Sequence, residues 1–134
     1  MKNKSKLKKP AKVSVPKVPA EWLYLNPAKT ELRRIYELFR EDMPWKAELW
    51  EEAGVLEIEL LEGGSVDMES METDLGEEAG NAYLAEQGIQ SVFAVTIMPE
   101  HYEKAREVME KIAKEAGGFF CGDTEDLAPV IKAE

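Results

Sequence analysis

The polar chemistry of this chain is concentrated near its C-terminal end, in the stretch Gly117-Gly118-Phe119-Phe120-Cys121-Gly122-Asp123-Thr124-Glu125-Asp126. It holds the only cysteine and sets three carboxylates within four positions. The only histidine, His101, lies some twenty residues earlier. Two kinds of chemistry are conceivable there. Asp123, Glu125 and Asp126 are oxygen donors of the type that ligates magnesium or calcium, but their spacing does not match a full calcium loop. Equally, clustered carboxylates form charge-assisted hydrogen bonds with Arg or Lys on a partner. The plain alternative is a solvated turn in which Gly122 supplies the permissive backbone, Asp123 makes an Asx turn and Leu127 pins the end into the core.

A thiol nucleophile at Cys121 with His101 as its base is the weakest option. Cys121 sits in an apolar run beside Phe119 and Phe120, where a cysteine behaves as a small buried hydrophobe. Nothing in the sequence identifies an orienting anion or an oxyanion hole. The glycine-rich, HExxH and GxSxG signatures of nucleotide, zinc and serine chemistry are missing. The expectation is therefore no catalytic residue, no metal and no cofactor. Asp123, Thr124, Glu125, Asp126 and His101 stand as candidate binding residues.

Charge narrows the class of partner. The first 17 residues carry seven lysines and no acid; the rest carry ten basic groups against all 27 acids, a net of −17. Such a body repels nucleic acid and anionic membranes and steers basic proteins toward itself. The Lys- and Pro-rich segment 1–19 reads as a disordered tail, the one part with any attraction to nucleic acid. It has no continuous apolar segment, so it is not a secretory signal, and no stretch of the chain is apolar enough to span a membrane. A single cysteine fits a reducing, cytoplasmic setting.

The elements that must position these groups read as a single acidic α+β domain over 20–134. "EWLYLN" (21–26) is a short edge strand or an anchor. Asn26-Pro27 opens an amphipathic helix through Leu32, Ile35, Tyr36 and Phe39, ending by Met43 before Pro44. Residues 44–54 read as a short helix, with a strand as the alternative. "VLEIELL" (55–61) alternates like a half-buried strand, and Gly63-Gly64 turns it into a hairpin with 65–72. The outward face of that hairpin is a dense strip of Glu57, Glu59, Glu62, Asp67, Glu69 and Glu72. Asp74 and Glu77 make a capping box for a helix to Gly88. The β-branched run 89–98 reads as a central strand, followed by a helix over 100–116 and a strand over 118–122.

The expected architecture is a two-layer sandwich of ferredoxin-like kind. It has a mixed four-stranded sheet with helices on one face, a hairpin, and a parallel strand–helix–strand unit. That unit would bring His101 and Asp123–Asp126 to the carboxyl edge of the sheet, where open α/β sheets hold ligands. The function expected is a non-enzymatic acidic module that binds a basic protein, inhibiting or neutralising a nucleic-acid-binding partner. The alternative is a regulatory small-ligand-binding domain acting as a homodimer. Trp22, Trp45 and Trp50 read as core anchors in at least two cases, with an interface as the other option.

Overall fold

The computed structural model describes residues 18–40 and 44–133. Residues 1–17 of the tail expected over 1–19, and the helix end expected at Met43, lie outside the described residues; Val18, at the end of that expected tail, packs partly buried against the larger core. Seven strands form one antiparallel open sheet: β1 (Glu21–Asn26), β2 (Lys46–Trp50), β3 (Val55–Glu59), β4 (Ser65–Met71), β5 (Ser91–Thr96), β6 (Phe119–Gly122) and β7 (Val130–Lys132). Their order is β2-β3-β4-β5-β1-β6-β7. Three helices accompany it: α1 (Leu32–Glu37), α2 (Glu78–Glu86) and α3 (Tyr102–Ala116), with a 3-10 turn at Pro99–His101 before the last.

This overturns the four-stranded mixed sheet of ferredoxin-like kind, and β1 is the main reason. It is apolar on both faces. Trp22 and Tyr24 point into the larger core, whereas Leu23 and Leu25 point into a second core on the opposite side. A strand buried on both faces belongs inside a sheet, and β1 pairs with β5 on one side and β6 on the other. It therefore separates the two strands that α3 connects. β5 and β6 run in the same direction without pairing, so no parallel pair exists among the described residues.

The second core also overturns the expectation of helices on one face. α1 and α3 bury Leu32, Ile35, Val108, Met109 and Ile112 in the larger core. α2 buries Leu84 against Leu23, Leu25, Val92 and Cys121 on the reverse side. The sheet is thus covered on both faces in its β5-β1-β6 half. β5 occupies the middle position, as its β-branched, nearly uncharged sequence implies.

Local differences have local causes. The first helix is six residues, not four turns. Asn26 Oδ1 accepts the Ala28 N–H at 2.8 Å and Ser91 Oγ accepts the Thr30 N–H at 2.8 Å, which holds 27–31 in an irregular path. Residues 46–50 are a strand: Ala47 and Leu49 face the core, while Lys46, Glu48 and Trp50 alternate outward. Asp74 does not cap α2 through Glu77. Its Oδ1 accepts Gly76 N–H at 2.8 Å and Asn81 Nδ2 at 2.9 Å, while Asn81 Oδ1 accepts Leu75 N–H at 2.7 Å. β7 was not anticipated from the sequence; Ile131 holds it to the core. No helix among the described residues is long and apolar enough to cross a membrane.

Candidate functional site: the reverse face of the sheet

The alternation that sends Leu56, Ile58, Val66 and Met68 into the larger core sends their neighbours to the reverse face. There β2, β3 and β4 present Glu48, Glu57, Glu59, Asp67 and Glu69, with Lys46 as the one basic residue. Among the described residues, none from these three strands belongs to the core beneath α2. That core leaves this half of the sheet uncovered among the described residues.

Register aligns the charges. Glu48 is directly opposite Glu57, and Glu57 is directly opposite Asp67. Asp67 is opposite Thr96, and Thr96 is opposite Glu21. Past the end of β6, the Asp123 N–H donates to the Glu21 carbonyl at 2.9 Å, which extends the row into the acidic loop. At about 4.8 Å per strand, the line from β2 to β1 is about 19 Å long. Like charges facing across strands destabilise a sheet. Burial foremost, then Asp67, Glu59 and Glu48, holds the Glu57 carboxyl above the ordinary glutamate range. Ser65 Oγ donates to Asp67 Oδ1 at 2.8 Å, which fixes one carboxylate in place. Trp50 is 43% exposed and Met71 37% exposed on the same face, so the charge is interleaved with apolar contact area.

The predicted loop residues border the neighbouring part of this face. Asp123–Asp126 line one wall of a groove of about 640 Å³. Leu23 and Ala94 line it from the sheet, Tyr83 from α2, and Leu75 from the segment before α2. The loop is organised by Thr124, not by an Asx turn at Asp123. The Thr124 hydroxyl accepts the Ala128 N–H at 3.1 Å and lies 2.9 Å from Asp126 Oδ1, to which it can donate. Leu127 packs partly buried against the core beneath α2. No three His, Cys, Asp or Glu side chains among the described residues converge into a group able to hold a metal ion.

His101 is not part of this groove. Its ring lies against Gly64, where the φ of +81° and the closeness of Nδ1 leave no room for a Cβ. Between the β3–β4 hairpin and the loop after β6 the sheet inserts β5 and β1. The carboxyl edge does carry both features, but it spreads them apart. Cys121 is fully buried, and burial pushes its thiol up to about 12, with Asp123 adding to the effect. A thiol so held stays protonated near neutrality, whereas the thiolate is the nucleophilic form.

Trp22 is a core residue, and Trp45 packs half-buried against the same core. Trp22 stacks on Tyr102 at 5.9 Å and Trp45 meets Phe39 edge-on at 5.8 Å. Trp50 alone of the three faces outward. The sequence strip on the hairpin missed Glu48 and Glu21, whose places depend on pairing partners distant in sequence. The period-two pattern of 45–50, joined to β3 by the short turn ending at Gly54, was the available signal for Glu48. No protein-family model matches the chain, and no curated protein or solved structure matches it.

Proposed function

We propose that this protein is a non-enzymatic binding module that docks a basic protein surface on the uncovered face of β2-β3-β4, neutralising a partner of the nucleic-acid-binding kind. The observation that supports this best is the cross-strand row Glu48–Glu57–Asp67. Like charges facing across strands destabilise a sheet, and the row joins neither hydrophobic core among the described residues. Lys or Arg side chains from a partner would relieve that repulsion on docking, and Trp50 and Met71 would add apolar burial at the same place. The net charge of −17 outside the first 17 residues would steer such a partner in from a distance.

The test compares the intact chain with E48Q/E57Q/D67N as baits at low salt and at about 0.5 M salt, where screening lengths fall to a few Å. A basic protein retained by the intact chain at low salt, and lost both in high salt and with the triple variant, is the expected result. Recovery of no basic partner, or equal recovery by the variant, overturns it.

The groove beside the acidic loop favours a second reading, a small-ligand-binding regulatory domain. Its volume of about 640 Å³ and its mixed apolar and acidic lining fall within the range of ligand sites. A thermal-shift screen of metabolites against the intact chain and A94W, at a half-buried position on the groove floor, tests it. A shift present only in the intact chain supports that reading; no shift removes it.

A further inference from the structure

The uncovered acidic face has a candidate occupant in the same chain. We propose that the N-terminal arm, residues 1–17, docks across β2-β3-β4 in the free protein and competes there with any basic partner. Three observations carry this. The first is charge complementarity. The arm has seven lysines and no acid, and the face has five carboxylates against one lysine. The second is where the arm begins. Val18 packs partly buried against the larger core and the Pro19 carbonyl accepts Trp22 Nε1–H at 2.8 Å, so the arm leaves at the end of β1 beside Glu21 of the acidic row and has to pass round that end of the sheet to reach the face. The third is reach. Seventeen residues extend to at most about 60 Å, against the roughly 19 Å from β1 to β2.

The lysine spacing suits this surface. Lys2, Lys4, Lys6 and Lys8 alternate with other residues. An extended backbone would place all four ammonium groups on one side. The arm contains no aromatic residue, so its attraction to the face is electrostatic. Individual exposed Lys–carboxylate pairs are weak and salt-sensitive. Docking of this kind is reversible and displaceable, as an internal competitor must be. The regulatory consequence rests on the basic-partner reading above; the docking does not.

The experiment uses the full chain with Ser5→Cys carrying a nitroxide, in a C121A background so that the label sits at one position. Amide intensities are read with the label oxidised and reduced, at low salt and at about 0.5 M salt. The expected result is loss of intensity at Glu48, Glu57 and Asp67, reversed by salt and abolished in E48Q/E57Q/D67N. A second variant, with the seven arm lysines replaced by glutamine, leaves the folded body untouched and should abolish the same losses. Absence of broadening overturns the proposal, as does broadening centred on Glu103 and Glu107 of α3. So does broadening seen only when labelled and isotope-enriched chains are mixed, which would mean a second copy's arm. No partner is present in the sample, so this result can fail while the pull-down succeeds.

Discussion

Glu57 of β3 stands directly opposite Asp67 of β4, and on its other side directly opposite Glu48 of β2. The middle carboxylate therefore bears repulsion from both neighbours. E57Q should raise stability at neutral pH by about 0.5 kcal/mol. The sign with pH follows from the raised carboxyl. The folded chain holds this proton more tightly than the unfolded chain, whose group titrates near 4.5. The penalty is absent below that value and sets in as pH rises through the window above it. Urea midpoints should show the advantage of E57Q at pH 7 and its disappearance near pH 4.

Two buried acids predict alkaline sensitivity. Burial raises Cys121 from 9.0 to about 12. Burial likewise raises Tyr24 from 10.0 to about 12, against the opposing effects of the Asn26 hydrogen bond and Arg34. Both stay protonated when folded and ionise earlier when unfolded. Stability should hold below about pH 9 and fall as pH climbs toward 12. C121A should remove part of that slope and leave the tyrosine's share. Native alkylation of Cys121 should not proceed until denaturant exposes it; rapid labelling of the folded chain would contradict its burial.

Among the described residues, Asn26 is the one buried polar side chain in the core. Its Nδ2 donates to Tyr24 Oη at 2.9 Å and to the Ala116 carbonyl at 3.0 Å, and its Oδ1 accepts the Ala28 N–H. It joins the end of β1 to the end of α3. N26A removes the side-chain partners of the Ala116 carbonyl and the Ala28 N–H, while Tyr24 Oη keeps its bond to the Gly117 carbonyl, and should cost about 2 kcal/mol. Y24F keeps the ring packed on Phe120 and Phe93 and should cost about 1 kcal/mol. The double variant should cost less than the sum, because the two side chains share a hydrogen bond.

Gly64 and His101 fit each other closely at the β3–β4 turn. G64A brings a strained backbone and a collision with the imidazole, and should cost about 2 kcal/mol in chemical denaturation. Adding H101A relieves the collision and leaves the backbone strain. The double variant should therefore be more stable than G64A alone. A purely additive result would place the whole cost in the φ angle.

The amino-acid sequence alone determined what depends on neighbours close along the chain. The hairpin about Gly63-Gly64, the strand at 91–96 and the helix ending at Gly117 follow from period-two and period-3.6 patterning and from residues that tolerate positive φ. The charge division between arm and body and the burial of Cys121 were legible in the same way. Only the tertiary structure decided which strands become neighbours. Leu23 and Leu25 look like an anchor until α2 is seen to bury the reverse face, and that burial is what draws β1 between β5 and β6. The same long-range pairing lines Glu48, Glu57 and Asp67 in one row and holds His101 away from Asp123–Asp126. Register between strands is set by hydrophobic burial summed over the sheet, a quantity that no short window of sequence contains.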